Sequence, residues 1–263
     1  MNEDRYAQYG AATGIVFVVL TLIGFAAVIP SPPDLNAPSQ EWASYFLSHH
    51  SAIRAGVVIL AVGFFFYIWF LGTLTSVLRI ASGTPRLPSI ALIGGVIGGS
   101  CLLVGLAAEA VAAYRPQGVD PLITRALGDI FLMVGVVAIP AFTAFFAATA
   151  IVLLRSGPFP AWLGWLTAAA AVVQPLTFGA LFTKSGAFAG DGALGAFVPL
   201  IVTFVAFFAL SALITAWARN ATKTGNPSLA DRVRGAVTGA ATGAAAGARG
   251  EQVTPGQHQG QGQ

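Results

Sequence analysis

Six times along the chain, about twenty or more residues pass with almost no charge, and the first run, GAATGIVFVVLTLIGFAAVI, ends at Pro30. A helix of about twenty apolar residues crosses a hydrocarbon core roughly 30 Å thick, and a water-soluble fold of this length could not hide six such helices. Composition agrees: 56% of the residues are hydrophobic and 9% charged, where roughly a quarter charged is usual for soluble domains. The short alternating segments of a β-barrel are not seen. The chain reads as an all-α, polytopic membrane protein, a six-transmembrane-helix bundle whose first partner is the lipid bilayer.

The spans are expected at about 11–30, 53–79, 89–114, 121–155, 161–183 and 194–218. A short segment, 1–10, precedes them, and an Ala/Gly/Gln-rich tail, 219–263, follows. The fourth span opens on Asp120-Pro121, a capping aspartate before a proline at the first helical position. It is longer than a membrane needs, so it should tilt or bend at Pro140. Gln174-Pro175 and Pro199 mark further kinks, where backbone carbonyls lose their helical donors. The tail, with glycine recurring in GAVTGAATGAAAGARG, buries too little to repay its ordering entropy and is expected to be disordered.

Lys and Arg set the orientation. One side collects Arg5, Arg79, Arg86, Arg155, Arg219, Lys223, Arg232, Arg234 and Arg249; the other has only Arg54, Arg115, Arg125 and Lys184. Both termini are therefore expected in the cytoplasm, in a cytoplasmic membrane. The net charge of +3 is a topology signal, and nucleic acid is not needed to explain it. Glu3 and Asp4 beside Arg5 make a poor start for a cleavable signal peptide. Arginine in excess of lysine, with abundant Ala and Gly, has the character of a high-GC bacterial genome. Cys101 is the only cysteine, so no intrachain disulfide can form.

Charge inside the apolar spans is the main functional clue. Glu109 lies roughly 7 Å below the outer end of the third span, and Arg125 and Asp129 lie about 6 and 12 Å deep in the fourth. With Arg54 at the start of the second span they sum to zero, as a self-neutralising cluster facing the bundle interior would. Local helix energetics do not favour them: Arg125 precedes Asp129 in the weaker i, i+4 order and sits near a helix amino terminus. A tertiary partner is expected, with Glu109 the candidate. The cluster is either an ion-pair network that fixes helix register or a polar pocket that binds protons or solute.

The long first outer loop carries Trp42, Tyr45, Phe46 and His49 at i, i+3, i+4 and i+7, one face of a short helix expected along the outer membrane surface or over the cluster. His49 and His50 point about 100° apart in a helix and lack enough neighbouring ligands for zinc. None of the spans has a histidine at depth for haem. No metal or cofactor is expected. Ser100 lacks a nearby base, and no phosphate-binding glycine loop is present, so an enzyme is not expected.

Gly94, Gly95, Gly98 and Gly99 form overlapping G-x-x-x-G pairs, and Gly10 and Gly14 form another, which lets helix backbones approach closely inside the bundle. A faint repeat joins IRAGVVILAVG at 53–63 to TRALGDIFLMVG at 124–135. Either cytoplasmic helix ends rich in Arg, Gly and Pro explain the shared endings that follow, or the two units are a duplicated hairpin related by an axis along the membrane normal, with Arg54 and Arg125 as its matching pair. An outer loop with Trp42 and a histidine, His49 or His50, leading into the second helix past Arg54 resembles the uncharacterised six-helix integral membrane proteins of actinobacteria. The resemblance covers about residues 10–218. It implies the six-helix fold and carries no activity. Two roles remain: a non-enzymatic structural or accessory subunit, with a membrane-protein partner or as a homo-oligomer, and a small permease or sensor with an outward-facing pocket at Glu109, Arg125 and Asp129.

Overall fold

A computed structural model describes residues 3–155 and 159–223. The described residues are helical, with no strand. Helix α1 (Glu3–Leu22) runs on as a π-helical turn, Ile23–Val28; α2 is Ser39–Ser82 and α3 Arg86–Tyr114. A long apolar stretch is divided into α4 (Pro121–Val137) and α5 (Ile139–Arg155). Helix α6 (Ala161–Val173) passes into a 3-10 segment, Gln174–Leu181, and a π turn, Ala193–Phe197, leads into α7 (Val198–Lys223). Five helical stretches, with α4 and α5 taken as one, are long and apolar enough to cross a membrane, and Tyr9–Phe25 is a shorter apolar helix.

Local chemistry sets several boundaries. Asp120 Oδ1 accepts the Leu122 N–H at 2.8 Å, with Pro121 in the first turn, as the Asp-Pro pair predicts. Helix α2 stops at Gly83, whose φ of +65° puts it in the left-handed region and aims its N–H at the Arg79 carbonyl. The α4/α5 break falls at Ala138, two residues before Pro140. Proline cannot donate to the carbonyl a turn earlier and its ring crowds that carbonyl. Pro175 acts likewise at the end of α6.

Three boundaries differ from the sequence expectation. The segment with Trp42, Tyr45 and His49 is not a separate surface helix. It forms the first turns of α2, a helix of 44 residues. Trp42, Tyr45, Phe46 and Ile53 pack as one apolar cluster against Ala112 and Ala113 of α3, so burial of the aromatic face carries the helix straight on. At the other end α7 continues to Lys223, past the expected limit of the span at 218. The rest of the expected tail, 224–263, lies outside the described residues. Residues 3–10, expected to precede the first span, are already part of α1.

The helices close a ring. Each packs on the ones before and after it in the chain, α3 meets both α4 and α5, and α7 returns to α1. Chain direction places the connections 29–38, 115–120 and 182–192 at one end, the upper end here, and 83–85, the end of α5 and the start of α6 at the other. The middle of the ring is filled by aromatic rings around Phe207. Phe145 stacks on it at 5.4 Å, and Phe146, Phe17, Tyr67 and Phe70 meet it edge-on or tilted. The glycines of α3 face inward: a Cβ on Gly94 would stand 2.5 Å from the Ala141 carbonyl oxygen, and one on Gly99 2.7 Å from the Tyr67 ring. The close approach is locked by the Tyr67 hydroxyl, which donates to the Gly95 carbonyl at 2.8 Å.

Candidate functional site

Above the Phe207 floor the ring surrounds a partly open chamber of about 400 Å³. Every span contributes to its wall: Phe17 and Phe25 from the first, Phe64 and Tyr67 from α2, Leu106 from α3, Phe131 and Phe142 from α4 and α5, Gln174 and Thr177 after α6, and Thr203 and Phe207 from α7. The lining carries no charged residue. Its polar groups are few. Thr21 gives its hydroxyl to the Phe17 carbonyl at 2.8 Å, and Tyr67 is engaged with Gly95. Gln174, 5% exposed, donates from Nε2 to Thr203 Oγ1.

The chamber lies where the helices leave α geometry. Phe25 is on the π turn after α1, Gln174 and Thr177 are on the 3-10 segment, and Gly195 and Ala196 are on the π turn before α7. π turns and long 3-10 runs are rare and gather at functional sites. Within a membrane, irregular backbone is tolerated where protein or a cavity meets it. Pro175 and Pro199 remove two backbone donors at this level, and the displaced helix turns make room that regular helices would have closed.

A cover of folded loop sits over the upper end. Leu194 and Gly195 donate their N–H groups to the Ala187 carbonyl at 2.7 and 3.0 Å, folding 186–195 on itself. Gly179 lies under Phe188, and Gly190 rests on Leu132. Phe25 reaches from the first span to Phe131 on α4, with ring centroids 6.1 Å apart. The loop is tied down: Asn36 Nδ2 donates to the Lys184 carbonyl at 3.0 Å, and the Arg125 guanidinium donates to the carbonyls flanking Asn36, Ala37 and, at 2.9 Å, Leu35.

The four charges expected to cluster are therefore distributed differently. Arg125 stands 3.9 Å from Asp129, a long contact whose acid is half-exposed, and is held mainly by the loop carbonyls. Arg54 is exposed, with Nε donating to the His50 carbonyl at 3.3 Å. Glu109 is half-buried, and among the described residues no ion pair or hydrogen bond reaches its carboxylate. It lies near enough to Tyr45 for the two to interact electrostatically. Arg125 took backbone carbonyls because two of them, from Leu35 and Ala37, converge on it from the 29–38 loop, a partner that charge counting does not reveal.

Trp42 and Tyr45 are buried. The Trp42 ring fills the space beside Gly128, with its Nε1–H unpartnered, and the Tyr45 hydroxyl donates to the Pro30 carbonyl at 2.7 Å. His49 is half-buried, its Nδ1 3.0 Å from the Tyr45 carbonyl. Among the described residues no group of three His, Cys, Asp or Glu side chains is placed to hold a metal. The chamber was not foreseen. Gln174-Pro175 and Pro199 mark kinks, but a space shared by several helices has no signature within any one of them.

No protein-family model matches the chain, and comparison with curated proteins and with solved structures finds no match.

Proposed function

We propose that this is a six-span protein of a bacterial cytoplasmic membrane, with both termini cytoplasmic, and that it is a small permease or sensor whose ligand is an apolar molecule held in the central chamber. The chamber carries the reading. A concave, mostly apolar space of about 400 Å³, walled by every span and with few polar groups, falls within the usual range for small-molecule sites. It lies in the upper half of the bundle, which the proposed orientation places on the outer side. A role as an ion-paired structural subunit drew its support from contact between Glu109 and Arg125, and Arg125 is occupied with Leu35 and Ala37 instead. The lining offers hydroxyls and one amide, without the acid–base pair that an enzyme would need there.

Gly135 supplies the test, because it lines the chamber and a Cβ there would meet nothing within 4 Å. The protein in lipid nanodiscs is exposed to a long-chain alkane bearing a photoreactive diazirine. Crosslinks are expected on the chamber peptides around Phe142 and Thr203, and in Gly135→Phe these should fall about tenfold or more. Labelling near Phe65 and Trp69, which are exposed on the lipid-facing surface, should stay the same in both proteins. Absence of chamber crosslinks in the wild type, or equal crosslinking in the variant, would refute the reading.

A further inference from the structure

The chamber is not uniformly apolar, and its polar groups are gathered rather than scattered. Gln174 and Thr177 are three residues apart in a 3-10 segment, where side chains at i and i+3 stand one above the other. Both line the chamber, as does Thr203 across from them on α7. Gln174 commits its amide N–H to Thr203 Oγ1. That bond leaves the Gln174 carbonyl oxygen and the Thr203 hydroxyl proton uncommitted among the described residues, and Thr177 makes no side-chain hydrogen bond there. One acceptor and two hydroxyl donors therefore face the same space, beside a wall that is otherwise aliphatic and aromatic.

From this arrangement we infer that the ligand is an uncharged, largely apolar alcohol, its hydroxyl seated between Gln174, Thr177 and Thr203 and its hydrocarbon body against Phe17, Phe64 and Phe131. A hydroxyl both donates and accepts, so it matches a set that offers both. The Gln174 oxygen accepts a hydrogen bond from its O–H, and a threonine hydroxyl donates to its oxygen. A carboxylate or ammonium head is disfavoured, because no lining residue carries a compensating charge and an unpaired ion in such surroundings is strongly penalised. The nearby cation, Arg125, is turned toward the loop carbonyls of Leu35 and Ala37. The inference rests on the apolar-chamber reading and adds the head group to it.

The test uses the photoreactive alkane as reporter. Dodecane, dodecanol, dodecanoate and dodecylamine compete with it in nanodiscs at matched bilayer mole fractions. Dodecanol should displace the reporter at about three- to tenfold lower loading than dodecane, the worth of a net neutral hydrogen bond or two. The two ions should do no better than dodecane. Gln174→Met should erase the advantage of the alcohol while the alkane still labels the chamber. Thr177→Val, which removes a hydroxyl with no bond in the protein, should shrink it without the folding risk of the buried glutamine. Equal displacement by dodecanol and dodecane, with labelling intact, would overturn the alcohol and leave the apolar chamber standing. Stronger competition by either ion would overturn it as well. Failure of the alkane to label the wild-type chamber would remove both.

Discussion

Glu109 is a carboxylate that the fold neither exposes fully nor pairs. Tyr45 lies near it, and among the described residues no cation is bonded to it. Removing one member of a buried ion pair usually costs about 3–5 kcal/mol, because the other charge is stranded. Here nothing is stranded. Glu109→Gln should leave thermal stability in detergent at neutral pH within about 1 kcal/mol of wild type, or raise it, since a partly desolvated charge is replaced by a neutral amide. A loss of several kcal/mol would mean that a cation does reach it. Phe207 is the opposite case. It is 2% exposed and touched by rings from α1, α2 and α5, so its energy lies in packing and none in charge.

At the scale of elements, two glycines of similar appearance in the sequence differ sharply in their surroundings. Gly94 lets α3 lie against the backbone of α5, where an added Cβ would meet Ala141 O at 2.5 Å and Phe145 N at 2.9 Å. Backbone cannot move aside as a flexible side chain can. Gly94→Val should therefore destabilise by about 3 kcal/mol or more, whereas Gly135→Ala should be neutral or gain up to about 1 kcal/mol from helix propensity. Paired melting curves of the two variants check both. The G-x-x-x-G spacing was enough to place Gly94 in a helix contact, because small residues at that period make a smooth face whatever lies opposite. The apolar runs were enough to give the helices, and Asp120-Pro121 the start of α4. The continuation of α2 through Trp42 could not be read in the same way: a four-residue aromatic face suits a surface helix and a buried one equally, and only the presence of Ala112 and Ala113 opposite decides. The chamber, likewise, is set by what the helices leave between them.

For the molecule as a whole, the proposed orientation rests on arginines gathered at the lower end, among them Arg79, Arg86 and Arg155. Cys101 can be replaced to give a thiol-free background. In it, Gln117→Cys in the upper 115–120 connection should react with a membrane-impermeant maleimide added to intact cells, and Thr84→Cys in the lower turn only after the cells are opened. The reverse pattern would invert the assignment and turn the chamber toward the cytoplasm.

Ring closure has a consequence for how such a protein is made. The first span packs on α7, and the Ser211 hydroxyl of α7 donates to the Ala11 carbonyl of α1, a contact between segments translated about 200 residues apart. Until residues 198–214 leave the ribosome, the first span waits in the bilayer with one flank unclaimed, and the wall that carries Thr203 and Phe207 does not exist. The chamber thus cannot be completed before α7 is made, and a nascent chain halted before α7 should have its earlier helices without the wall that closes the ring.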